Sequence, residues 1–126
     1  MRNVLIISLL LLFNVACIAQ VAEKLPPEQF KSQIEKETNT YKILDLRTDE
    51  EVEQGMVPTA EQLNFYGEDF EELLGQLDKK TTYYIYCRSG GRSGKTFATM
   101  KSLGFDNVYE LDGGMNAWKS AGLETE

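Results

Sequence analysis

The sequence predicts an α/β fold, a parallel sheet flanked by helices on both faces, and three observations carry that expectation. Runs of strand-forming residues (Tyr41 to Leu46, Thr82 to Tyr86, Asn107 to Leu111) alternate with segments whose apolar residues recur at helical spacing. Cap and turn signals such as Thr48, Gly55, Gly104 and Gly113-Gly114 separate them. At 126 residues the chain has room for one such domain.

The first 20 residues stand apart. Met1-Arg2-Asn3 carries a positive charge, Val4 to Phe13 is almost wholly apolar, and Ala16 to Gln20 supplies small residues, the pattern of an export signal. The apolar run falls short of the ~20 residues a spanning helix needs, and it is not amphipathic, as a core helix would be. Residues 1–19 are therefore expected to be a cleaved signal peptide and 20–126 the domain, which implies a periplasmic or secreted location. Cys17 offers a lipoprotein anchor as the lesser option, because Asn14 stands where such signals usually place Leu or another aliphatic residue. Association with a membrane is expected only if Cys17 is lipidated. After cleavage Cys87 is the sole cysteine, so no internal disulfide is expected and the thiol is either a buried bystander or reactive.

The elements follow in order. Pro26-Pro27-Glu28 reads as a helix entry, with Phe30 and Ile34 on one face. Tyr41 to Leu46 reads as a strand, and Thr48 as the N-cap of a short acidic helix that stops at Gly55. Gln62 to Phe65 is a weak strand, and Phe70, Leu73, Leu74 and Leu77 mark a helix over 68–77. Thr82 to Tyr86 is the central strand. Ser93 to Leu103 reads as a helix with Phe97, Met100 and Leu103 facing the core. Asn107 to Leu111 is a last strand, followed by a helix that carries Ala117 and Trp118 to Gly122. In such a sheet ligands sit beyond the carboxyl ends of the strands, and Cys87 lies at one.

Charge and composition exclude several functions. Twenty acidic residues against 13 basic give a net charge of −7, which repels nucleic acid and anionic membrane. The chain has no His, the commonest metal ligand and general base, so with one cysteine left after cleavage neither a zinc site nor His-dependent chemistry is expected.

The chemistry concentrates in Cys87-Arg88-Ser89-Gly90-Gly91-Arg92-Ser93, between the central strand and the following helix. Glycines and small serines let backbone N–H groups turn inward around an anionic sulfur, and a helix N-terminus favours a thiolate over a thiol. Arg88 and Arg92 can add charge-assisted hydrogen bonds to an oxyanion. Cys87 is thus the candidate nucleophile, and Arg88, Ser89, Gly90, Gly91, Arg92 and Ser93 the candidate substrate-binding loop.

With this loop, Asp45-Leu46-Arg47 followed by Glu50-Glu51, the segment Gly55-Met56-Val57-Pro58-Thr59-Ala60, and Leu111-Asp112-Gly113-Gly114 with Trp118, the chain resembles the single-domain rhodaneses over nearly all of residues 20–126. The resemblance implies a sulfurtransferase that takes sulfur from thiosulfate or a similar donor as a persulfide on Cys87. It then passes the sulfur to cyanide, a thiol or a protein acceptor. No cofactor is implied, since attack by a thiolate and a good leaving group suffice. Met56, Thr59 and Gln62 depart from residues usual in the family (His, Gly and Asn), in a turn outside the sulfur loop. Asp45, Arg47 and Glu51 resemble a buried ion-pair network, with a structural role.

Three other readings compete. A non-catalytic sulfur-carrier module would also retain Cys87. A Cys-dependent phosphatase would place Arg six residues after the Cys, where this chain has Ser93, Arg92 falling one residue early. Gly94-Lys95-Thr96 ends like a phosphate-binding P-loop, but the Gly required five residues before Gly94 is Ser89.

Overall fold

A computed structural model describes residues 23–126; the expected signal peptide and Cys17 lie outside the described residues. The elements are β1 (Lys24–Leu25), α1 (Pro27–Glu35), β2 (Tyr41–Asp45), α2 (Asp49–Val52), β3 (Glu61–Gln62), α3 (Phe70–Gln76), β4 (Thr82–Tyr86), α4 (Gly91–Ser102), β5 (Val108–Leu111) and α5 (Gly114–Ser120). The five strands form one sheet in the order β1-β5-β4-β2-β3, every pairing parallel.

β4 is the middle strand and is buried along its whole length. Alternation of side chains along it sorts the core into two layers. Tyr83, Ile85 and Cys87 point toward the side where Phe70 and Leu74 of α3 and Met100 of α4 pack. Tyr84 and Tyr86 point the other way, toward Phe30 of α1 and Met115 and Trp118 of α5. The phase of the strand therefore puts Cys87 on the α4 side. Each buried tyrosine keeps a partner for its hydroxyl: Tyr83 donates to Asp78 O (2.8 Å), Tyr84 to Glu37 Oε1 (2.9 Å) and Tyr86 to Asp45 Oδ2.

The structure departs from the expected boundaries at the edges. β1 has two residues and, among the described residues, pairs only with β5, too short to leave a period in the sequence. β3 covers Glu61–Gln62, while Phe65 leaves the sheet and packs against Phe70 (centroids 5.1 Å apart). Helix α4 begins at Gly91, two residues early, which places Arg92 in its first turn. Its buried positions are Ser93, Thr96 and Met100, while Leu103 is 40 % exposed. Apolar spacing missed this face because two of its members are polar.

Candidate active site

Cys87 follows β4 directly and is 1 % exposed. Gly90, at φ 115° in the left-handed region where a Cβ is disfavoured, turns the chain into α4. The turn brings the N–H of Gly90 to 3.1 Å and that of Ser93 to 3.4 Å from Cys87 Sγ, both donating to the sulfur. Ser93 Oγ lies 3.5 Å from the same sulfur. Burial is the largest single influence on the thiol and pushes its pKa up. The Ser93 hydroxyl and the N–H groups of Ser93, Gly90 and Ser89 together outweigh it, so Cys87 titrates below the usual thiol range. A buried sulfur met by several donors at a helix N-terminus is built to carry negative charge.

The two arginines of the loop differ. Arg88 is exposed, and among the described residues it forms no ion pair. Arg92 is half-buried and donates to both carboxylate oxygens of Glu51 (2.7 and 2.9 Å), with its guanidinium 5.6 Å from the centre of the Tyr66 ring. Ser89 and Gly91 are exposed on the loop, Gly90 is half-buried and Ser93 is buried. An open cleft of about 310 Å³ beside the loop is lined by Arg47, Glu51, Gln54, Arg88, Asn116 and Lys119.

The acidic neighbours split between two tasks. Arg47 grips Asp45 with Nε (2.9 Å) and Nη2 (2.8 Å) and also donates to the carbonyls of Glu51 (3.2 Å) and Gly55 (2.7 Å). This buried pair ties the end of β2 to α2. Glu51 does not join that pair through its carboxylate. It closes a capping box with Thr48 and turns its carboxylate to Arg92, which, against the opposing effect of burial, holds its pKa down at about 2.

Sequence reasoning missed two further contributions. The first-turn N–H groups of α5, unpaired within the helix, donate from Met115 to Cys87 O (2.9 Å) and from Asn116 to Arg88 O (3.0 Å). This close approach needs Gly114, where a Cβ would stand 2.4 Å from Cys87 O. Gly113-Gly114, expected only as a turn, thus clamps the loop from behind. The other is Glu110 of β5, a buried carboxylate whose Oε1 accepts from Ser93 Oγ (2.7 Å). No motif marked it.

A strand-end cysteine cradled by a helix N-terminus in a parallel sheet defines a class of protein, and the comparisons agree. Residues 26–121 match the family model "Rhodanese-like domain", and the chain belongs to the rhodanese-like family. It is 36 % identical over 87 residues to a sulfurtransferase of Allochromatium vinosum, covering 69 % of this chain and 79 % of that protein. It is 32 % identical over 85 residues to a thiosulfate sulfurtransferase of Shewanella oneidensis, covering 68 % and 82 %. The fold superposes on a rhodanese-like domain protein of Staphylococcus aureus with a TM-score of 0.67 at 31 % identity, over 83 % of this chain and 99 % of that one.

Proposed function

We propose that the protein is an exported sulfurtransferase that carries sulfane sulfur as a persulfide on Cys87. The observation that carries this reading is the cradle of N–H donors around a buried Sγ whose pKa lies below the usual thiol range. In the first half-reaction the Cys87 thiolate attacks the outer sulfur of thiosulfate or a similar donor. A new S–S bond forms, the donor's own S–S bond breaks, and sulfite leaves with the electron pair. In the second, cyanide, a thiol or a protein acceptor attacks the outer sulfur of the persulfide, and Cys87 departs as the thiolate that the cradle stabilises. Arg88 and Lys119, which line the cleft and form no ion pair among the described residues, attract the anionic donor. The pattern of residues 1–19 supports export.

Steady-state turnover of thiosulfate with cyanide tests the reading. The wild-type protein should turn over repeatedly, and Cys87→Ser should lose at least 95 % of the rate, or about 20-fold, while keeping its melting temperature. Loading of one sulfur without turnover would make the protein a carrier. Turnover surviving in Cys87→Ser would refute the persulfide.

A further inference from the structure

Glu110 is a carboxylate that sulfur transfer as written does not use, and it is 5 % exposed. It lies under the first turn of α4, where a Cβ at Gly94 would stand 3.8 Å from its Oε1. No cation among the described residues pairs with it. Arg92 of that turn goes to Glu51, and Lys101, farther along α4, goes to Glu23 (3.4 Å). Asp112, two residues on, is exposed, and on the neighbouring strand Tyr86 is turned to the opposite layer with Asp45. Lys24, its register partner on β1, shares its face of the sheet but is exposed and forms no ion pair with it, so the groups that meet the carboxylate are Ser93 and, through it, Cys87.

Ser93 has one hydroxyl proton and three claimants, of which the Gly90 carbonyl, at 3.3 Å, takes no part in any change of charge. Glu110 Oε1 is 2.7 Å from Ser93 Oγ, and Cys87 Sγ is 3.5 Å away on the same oxygen. While Glu110 is ionised it takes that proton, and Ser93 presents lone pairs to the sulfur, an arrangement that suits a thiol. A thiolate needs the hydroxyl turned toward it. The backbone N–H groups of that turn go to the sulfur and Glu110 meets the turn through the Ser93 hydroxyl, so two negative charges there would share one hydroxyl proton.

We propose that Glu110 is the proton partner of Cys87, reached through the Ser93 hydroxyl, and that the two acids hold one proton between them. When the thiolate forms, the S–H bond breaks and its proton passes to Ser93 Oγ as the former Ser93 proton passes to Glu110 Oε1. The reverse movement returns a proton to the sulfur. Glu110 is thus a positioning residue, acting on the nucleophile through Ser93. The proposal rests on Cys87 being the nucleophile, as argued above.

The rate at which iodoacetamide alkylates Cys87 in the full chain, read by peptide mass spectrometry so that Cys17 is counted separately, follows the thiolate directly. With a shared proton the wild-type rate rises with pH in two steps. The lower leads to a plateau flat over about one pH unit or more, and the upper marks the loss of the pair's last proton. Glu110→Gln keeps the shape and removes the second acid. It should show one step between those two, with a rate severalfold above wild type at mid-plateau. Ser93→Ala should retain the upper step and lose the plateau. A purely structural Glu110 would change the melting temperature without changing the number of steps. A single wild-type step, below which the rate falls tenfold per pH unit, overturns the proposal without any variant, and so does a plateau that survives either substitution. No sulfur donor enters the assay, so its outcome is independent of the turnover test.

Discussion

Thr59 has φ 67°, the left-handed region, where a β-branched side chain crowds its own backbone. Its exposed side chain does not explain the choice, and its N–H donates to Glu126 Oε2 (3.1 Å), a bond any residue retains. Thr59→Gly should therefore stabilise the domain by about 1 kcal/mol, raising the melting temperature by several degrees in a thermal scan. The two loop arginines should separate in the same way as their contacts. Arg88→Ala should raise KM for thiosulfate about tenfold, the worth of one charge-assisted bond, and leave stability unchanged. Arg92→Ala, which abandons a two-pronged pair with Glu51, should instead lower stability by about 1–2 kcal/mol, read by urea unfolding.

Helix ends organise the site. α4 aims its N-terminus at Cys87 Sγ from the front, and α5 holds the carbonyls of Cys87 and Arg88 from behind. Gly114→Ala would drive a methyl into those carbonyls at a position already at φ 57°, and should cost about 2–4 kcal/mol by thermal or urea unfolding. The alkylation rate of Cys87 should fall with it as the loop is pushed off the helix. The short helix α2 contributes through pH. Glu51 titrates at about 2 when folded, below the ordinary glutamate value, so its contribution to stability is full above about pH 5 and is lost as pH falls toward 2. With the side chain 24 % exposed, screening leaves about 1–2 kcal/mol. Glu51→Gln keeps a residue able to close the capping box but loses the pair with Arg92, and should flatten that acid limb in unfolding curves measured from pH 6 to 3.

At the scale of the whole molecule, the order β1-β5-β4-β2-β3 sets Cys87 at the end of the most buried strand, with a helix available on each side of it. Much of this was legible in the chain. Thr82 to Tyr86 reads as a strand from its composition, Thr48 as a cap from its acidic followers, and the Cys87 to Ser93 loop from its glycines. Local patterns carry such information because period and cap act within one element. What they could not convey is what one element does to another: that Arg92 turns to Glu51, that α5 grips the loop carbonyls, and that Glu110 on β5 meets Ser93 on α4. Each depends on strand order, which leaves no mark on any single segment. The central claim, a persulfide on Cys87, is tested most directly by the intact mass of the protein after brief incubation with thiosulfate and removal of excess reagent. A gain of about 32 Da located at Cys87 is expected, lost on addition of cyanide as thiocyanate appears. An unchanged mass, or added sulfur that persists in Cys87→Ser, would contradict it.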